Sequence, residues 1–449
     1  MLPQNFSDSN VCIIGLGYVG LTLAVAMADA GFRVHGVERS AMIRSCLEAR
    51  RAHFSEVGLN ERLATQIERQ NLTFSERVPA TGGASIYVVT VGTPIGPDKR
   101  TDDAAMKAVI ASIAKVLKDG DLVVLRSTVR IGTTTEVVKP MLDATGKNYD
   151  LAFCPERTLE GKALLELRTL PQVVGGVDDR ATFRASQVFS FLTPSIVRVR
   201  NAETAEMVKL INNTQRDYIF AFANEVAAMC DAVGISANEV ISSGNLGYPR
   251  ANLPYPGPVG GPCLEKDPYI LAEGLERYDF APELALAGRR WNESLPVRSV
   301  MALAEDLQSR GVTEPRKIAV VGLAFKGRPE TDDLRGSLVI PIIAALREAF
   351  PKATLVGWDP VVRQDGMHTL GLTPADTVED AFSGASLVVM QNNHETLERL
   401  KLPVLSRLMS GPATIYDYWN QHIGLDPTEL ADGVVYRALG AFNVKYNAA

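Results

Sequence analysis

Val11-Cys12-Ile13-Ile14-Gly15-Leu16-Gly17-Tyr18-Val19-Gly20 decides the fold of the N-terminal region. Four apolar residues predict a buried parallel strand. Gly15, Gly17 and Gly20 follow with GxGxxG spacing, and an apolar helix is predicted over about 19–30. Glycines at this junction allow a tight turn and let a pyrophosphate approach the helix N-terminus. Gly31 ends the helix, and residues 34–37 give the next strand. Glu38 closes that strand, about 20 residues past the glycines, where a carboxylate can accept from both ribose hydroxyls and repel a 2'-phosphate. The pattern predicts a dinucleotide site built by Gly15, Gly17, Tyr18, Val19, Gly20 and Glu38 that prefers NAD to NADP. Arg39 beside it pulls the other way.

Further strand candidates at 85–91, 121–125, 150–153 and 172–174 alternate with helical stretches, which predicts a doubly wound α/β sheet. The pattern then changes. Ala205, Val208, Ile211, Tyr218, Phe222, Val226 and Met229 keep a helical period across 202–233. That is longer than a usual globular helix and suits a connector or a dimer spine. A second helical piece covers about 282–309, and 317–322 opens another α/β unit that continues through 353–358, 386–390 and 414–416. The expected division is an NAD domain over 1–201, a helical dimerisation region over 202–310 and a sugar-nucleotide domain over 311–449.

Bulk properties narrow the class. A length of 449 residues allows two or three domains, and 46% hydrophobic with 22% charged residues is ordinary for a globular protein. A net charge of -6 argues against nucleic acid as a partner. No apolar run approaches the length of a membrane span, and residues 1–10 have no apolar signal core. The five cysteines are scattered without a CxxC pair, and the five histidines lack metal-ligand spacing. The expectation is a cytoplasmic protein with no disulfide framework and no metal.

Several segments carry groups able to do chemistry. Gly260-Gly261-Pro262-Cys263-Leu264-Glu265-Lys266-Asp267 places a thiol in a Gly/Pro turn with a carboxylate four positions on. Were the turn to run into one helix, Cys263 and Asp267 would share a face. A thiol attacks carbonyl carbon, and a nearby acid manages the protons. Thr93, Thr128 and Glu156 follow predicted strands, at the ends where open α/β sheets bind ligands. Taken singly, the first two fit ordinary turns and Glu156 fits a solvated loop charge. Glu206, Lys209 and Asn213 share a helix face, and an ammonium with an amide can stabilise an oxyanion. A salt-bridged surface explains the same spacing. Lys326 and Arg335 flank a strand-to-helix junction, where cations suit phosphate or carboxylate.

In this order, these segments resemble the nucleotide-sugar 6-dehydrogenase family, over most of the chain from Gly15 to about Tyr416. The most specific marks are GGPCLEKD (260–267), GLAFKGRPETDDLR (322–335), RSTVRIGT (126–133) and AEMVKLINN (205–213). The resemblance implies four-electron oxidation of a sugar C6 alcohol with NAD as cofactor, a UDP-sugar as substrate, and a homodimer or higher assembly. It implies Cys263 as nucleophile and Lys209 and Asn213 as oxyanion stabilisers. Asp267, Thr128 and Glu156 would place and activate water, and Glu160 would lie near cofactor and substrate. Gly260 and Lys326 would meet the sugar nucleotide, and Arg335 and Thr93 the cofactor. The chain departs from the family in a small insertion at Gly327-Arg328-Pro329, which lengthens the step to Arg335. Cys154-Pro155-Glu156-Arg157 is similar to the branch acting on 2-acetamido sugars, with Arg157 reaching a substrate oxygen. UDP-N-acetylmannosamine or UDP-N-acetylglucosamine is therefore the expected substrate. UDP-glucose oxidation stays open as an alternative. A two-electron 3-hydroxyacid-type dehydrogenase would explain Gly15–Gly20 and Lys209–Asn213, but not Cys263 or the second α/β unit. A non-catalytic binding protein would have no use for the intact Cys263, Lys209 and Asp267 set.

Overall fold

The computed structural model describes residues 2–3, 6–80 and 83–443. Of the polar N-terminal stretch, residues 1, 4 and 5 lie outside the described residues. The chain forms two units: 1–213 with 269–282, and 214–268 with 283–449.

The first unit is built on strands β1 (Asn10–Ile14), β2 (Arg33–Val37), β3 (Leu72–Ser75), β4 (Ile86–Val89), β5 (Leu122–Leu125), β6 (Asp150–Phe153), β7 (Gln172–Gly176) and β8 (Ile196–Arg198). They form one sheet in the order β3-β2-β1-β4-β5-β6-β7-β8. Every pairing is parallel except β6 with β7. The order reverses between β1 and β4, which creates a crevice above their C-terminal ends. β4, β5 and β6 are buried along their whole length, as helices on both faces require. Ile14 pairs with Val89, Val89 with Leu125 and Leu125 with Phe153. One row of residues therefore ends four strands together.

The second unit has strands β9 (Lys317–Val321), β10 (Thr354–Trp358), β11 (Thr373–Pro374), β12 (Leu387–Met390), β13 (Ala413–Asp417) and β14 (Val434–Ala438). They form an all-parallel sheet ordered β11-β10-β9-β12-β13-β14. Its switch point lies between β9 and β12, and Val321 pairs with Met390 there.

The predicted long helix is continuous over Ala202–Val233, and its first part belongs to the first unit and the rest to the second. Glu283–Ser309 is a second long helix, with Pro296 inside it. The Cys263 segment is shorter than a helix-run reading expects. Gly261–Leu264 makes one turn, Glu265 and Lys266 break it, and a new helix opens at Asp267. Cys263 is exposed, whereas Asp267 is fully buried, so the two do not share a solvent face. Among the described residues no disulfide forms and no helix is long and apolar enough to cross a membrane.

Candidate active site

The four loops that follow the row of strand ends in the first unit carry most of its predicted site residues. Gly15 leaves β1 at φ +93°, a conformation that only glycine adopts without strain. Gly20 packs so tightly that an added Cβ would sit 1.8 Å from the Gly15 carbonyl oxygen. Gly17 differs: nothing lies within 4 Å of where its Cβ would be, and it stands directly before the helix Tyr18–Ala30. The cradle is thus closed underneath and open above, as approach of a pyrophosphate requires. Glu38 is half-buried beyond β2. Its Oε2 accepts from the Leu16 N–H at 2.9 Å and its Oε1 from the Ser40 N–H at 2.8 Å, which fixes the carboxylate against the glycine turn. These residues fit an NAD adenosine and pyrophosphate.

Tyr18 extends this site towards the loop after β6. Its hydroxyl donates to Glu56 and accepts from the Gly161 N–H at 2.8 Å. Glu160 is close enough to Tyr18 to raise the phenol further, after burial and Glu56. After β4, Thr93 is buried and its hydroxyl donates to the Thr128 carbonyl in the loop after β5.

Glu156 is buried rather than solvated. Arg126 donates to its Oε2 from both Nη2, at 2.6 Å, and Nε, at 3.1 Å. The N–H groups of Arg157 and Thr158 both donate to Oε1 at 2.7 Å. Burial opposes the charge, but Arg126, the Thr158 N–H and nearby Lys209 together hold Glu156 below the usual carboxylate range. The Arg157 guanidinium donates to the Pro171 carbonyl. Lys209 and Asn213 stand on the long helix, both half-buried. Glu206, on their face, is fully buried and not part of a salt-bridged surface. It accepts from the Gly132 N–H at 2.6 Å, the Thr134 N–H at 2.9 Å and the Thr134 hydroxyl at 2.6 Å. Burial pushes it up to about 7 against those hydrogen bonds.

In the second unit, the turn bearing Cys263 is fixed by backbone contact. The Gly261 N–H donates to the Gly336 carbonyl at 2.7 Å. Gly260 has room for no side chain, since a Cβ would lie 2.2 Å from that same oxygen. Gly261, at φ +90°, lies against the Phe325 ring. Lys326 follows Phe325 in the loop after β9, its ammonium 5.3 Å from the ring centroid. Gly327 packs on the His394 backbone, and Arg328, the next residue, pairs with Glu398. Arg335 is exposed and clasps Asp333, with Nε 2.9 Å from Oδ2 and Nη2 2.5 Å from it. Among the described residues no His/Cys/Asp/Glu cluster could hold a metal.

Two buried ion pairs escaped the sequence. Besides Arg126–Glu156, Arg289 meets Asp217 at 2.7 Å, with both side chains closed to solvent. Their partners lie 30 and 72 residues apart, and no spacing rule marks them. Neither Arg126, directly after a strand, nor Arg289, beside Arg290 in a helix with other charges, is marked in the sequence as buried.

A Rossmann sheet with an open glycine cradle and a carboxylate fixed against it has the form of a dinucleotide-binding protein of the NAD-linked class. Comparison with known proteins gives the family. The chain belongs to the UDP-glucose/GDP-mannose dehydrogenase family: residues 9–193 match its NAD binding domain, 203–294 its central domain and 319–422 its UDP binding domain. It is an NAD-dependent nucleotide-sugar dehydrogenase, as the motifs led us to expect. It is 31% identical to a UDP-N-acetyl-D-mannosamine dehydrogenase of Pyrococcus horikoshii over 89% of this chain and 93% of that protein. The solved structure of the UDP-D-ManNAc dehydrogenase from Pyrococcus horikoshii is similar with a TM-score of 0.87, at 29% identity over 97% of this chain and 100% of that one. A UDP-glucose dehydrogenase from Pyrobaculum islandicum is nearly as similar, with a TM-score of 0.85 at 26% identity, covering 98% and 99% of the two chains. The fold therefore does not choose the sugar.

Proposed function

We propose that this enzyme oxidises the C6 hydroxyl of a UDP-N-acetylhexosamine, UDP-N-acetylmannosamine or UDP-N-acetylglucosamine, to the uronic acid. The product would serve as a polysaccharide precursor. The observation that carries the proposal is Cys263, an exposed thiol in a turn whose Gly260 and Gly261 leave no room for a side chain, while Cys12, Cys154 and Cys230 are buried. Relatives named for UDP-N-acetyl-D-mannosamine, and Arg157 after Pro155-Glu156, favour the acetamido sugars.

NAD, held by Gly15, Gly17, Tyr18, Val19, Gly20, Glu38, Thr93, Thr128, Glu160 and Arg335, would supply the hydride acceptor for both oxidations. The C6 alcohol loses a hydride and a proton to become an aldehyde. The Cys263 sulfur then adds to C6, and the carbonyl oxygen takes a proton to give a thiohemiacetal. Loss of a second hydride and that proton leaves a thioester. Water attacks C6, the C–S bond breaks, and the carboxylate departs while the thiol regains a proton. Each sugar thus consumes one water and yields two NADH. Lys209 and Asn213 would donate to the oxygen at C6 as negative charge builds there. Glu156, whose two oxygens already accept two N–H bonds each, is poorly suited to taking a proton and would instead act by holding the loop that, with Thr128, places the water. Asp267, buried behind the thiol, would receive that proton through a bound water rather than directly. Gly260, Lys326 and Arg157 would hold the sugar nucleotide.

The proposed domain roles are NAD binding over 1–201, dimerisation and the thiol over 202–310 and UDP-sugar binding over 311–449. Ile211, Tyr218, Phe222, Met229 and Val233 form an exposed apolar stripe on the long helix, which supports a homodimer or larger assembly. The scattered thiols suit the cytoplasm.

The test is NADH formed per sugar across UDP-N-acetylmannosamine, UDP-N-acetylglucosamine, UDP-N-acetylgalactosamine, UDP-glucose and GDP-mannose. Two NADH per acetamido sugar, and loss of complete oxidation in Cys263→Ser, are expected. One NADH per sugar in the unmodified enzyme would sink the thioester route, and turnover of UDP-glucose alone would sink the sugar assignment.

A further inference from the structure

Four buried polar side chains form one bonded cluster, and two of them reach the segment that carries Cys263. Asp217 and Asn224 come from the long helix, and Arg289 and Asn292 from the helix Glu283–Ser309. All four are essentially closed to solvent. Gly288 lets the two helices approach, since a Cβ there would lie 3.1 Å from the Tyr218 ring and 3.3 Å from the Ala221 Cβ.

The pattern of bonds has a direction. Arg289 Nη1 donates to Asp217 Oδ1 at 2.7 Å and to the Leu264 carbonyl at 3.2 Å, and Nη2 donates to the Val259 carbonyl at 3.4 Å. Val259 and Leu264 stand on the two sides of Cys263. Asn224 holds the entry to the same turn through Gly257, accepting from its N–H at 2.8 Å and donating to its carbonyl at 3.0 Å. Asn292 ties the set together. It donates to Asp217 Oδ1 at 2.9 Å and accepts from Asn224 at 2.9 Å. Glu293 lies 3.8 Å from Arg289 Nε. Burying a guanidinium is costly, and apolar residues would pack two helices at least as well. The planar fork of arginine does something they cannot: it binds one carboxylate and two carbonyls in fixed directions.

We infer that Arg289, oriented by Asp217 and Asn292, is a positioning residue that clamps both sides of the Cys263 turn, with Asn224 holding its entry, so that the thiol stands ready when the C6 aldehyde forms. The inference rests on the thiol chemistry proposed above. A clamp matters most for the second oxidation, because an aldehyde that is not captured at once can leave. Arg289 touches no reacting atom.

The test uses full-length Arg289→Lys, which keeps a positive charge beside Asp217 but loses the fork. Amide exchange over 257–264 should quicken at least about tenfold, consistent with local opening of an unfastened turn. The NADH yield per sugar should fall below two, with aldehyde found in solution. kcat should drop by at least about tenfold while KM for NAD and sugar nucleotide stays within about twofold. If Arg289→Lys does not fold, Asn224→Ala, which leaves the Arg289–Asp217 pair in place, should move the same readouts in the same direction. A yield of two NADH with kcat lowered only in step with the folded fraction would overturn the positioning role. Unchanged exchange over 257–264 would overturn the clamp. A yield of one in the unmodified enzyme would instead overturn the chemistry beneath it, which the exchange measurement reads independently.

Discussion

Arg126 and Glu156 form an ion pair 2.6 Å long from which solvent is shut out, at the ends of two adjacent strands of the first sheet. Arg126 also donates to the Cys154 carbonyl at 3.1 Å and to Gln172 at 2.8 Å, and it lies over the Phe189 ring. The pair thus ties the loop after β5 to the loop after β6.

Removing one partner leaves the other as an uncompensated buried charge. Arg126→Met should therefore destabilise the enzyme by about 3–5 kcal/mol, as broken buried pairs do. Chemical denaturation monitored by far-UV circular dichroism, which reports both sheets, measures it. A loss below about 1 kcal/mol would mean that water reaches Glu156, since exposed pairs are worth no more.

The second and third glycines of the cradle should separate stability from cofactor affinity. Gly17 has φ -66° and open space around it, so Gly17→Ala should leave Tm in place while its methyl group blocks the pyrophosphate. Gly20→Ala drives a Cβ into the Gly15 carbonyl and the Thr90 hydroxyl, and should lose about 1–3 kcal/mol of stability together with NAD binding. Thermal melts paired with NADH fluorescence titration distinguish them. Unweakened NAD binding by Gly17→Ala would show that the pyrophosphate does not approach there.

Two buried glutamates should respond to pH with opposite sign. Glu156 is held below its usual range, so its contribution is present above the unfolded pKa and is lost as pH falls through the folded one. Glu206 is raised from 4.5 to about 7. Its contribution is complete below the unfolded value and is lost as pH rises through about 7. Between pH 5 and 8 the unmodified enzyme should lose stability relative to Glu206→Gln, on the order of 3 kcal/mol. Denaturation midpoints at several pH values give the difference, and parallel curves would show that Glu206 stays ionised throughout.

The sheets were legible because buried parallel strands are short apolar runs with glycines after them. The runs at 34–37, 150–153 and 317–322 coincide with β2, β6 and β9 or fall within a residue of them, and the long helix spans the expected 202–233. β8, three residues with two of them exposed, and β11, two residues long, have no apolar run to mark them. The helical break at Glu265–Lys266 was missed because neither residue is a helix breaker; the contacts around Gly260, Gly261 and Gly336 set the local path. Burial of Glu156, Glu206 and Arg289 was also invisible. A charge looks solvated in sequence unless its partner is known, and here the partners come from other elements.

The shared row Ile14–Val89–Leu125–Phe153 also bears on how such an enzyme diversifies. Ladder hydrogen bonds set the positions of the strand ends, whatever chemistry the loops above them carry. A lineage can therefore lengthen or rewrite a loop and inherit the platform unchanged. In the second sheet β9 and β12 likewise end together at Val321 and Met390, and the loop leaving β9 rests through Gly327 on the His394 backbone. Heritable variation in substrate choice can thus accumulate at the rims of the two sheets without reopening the problem of how either one folds.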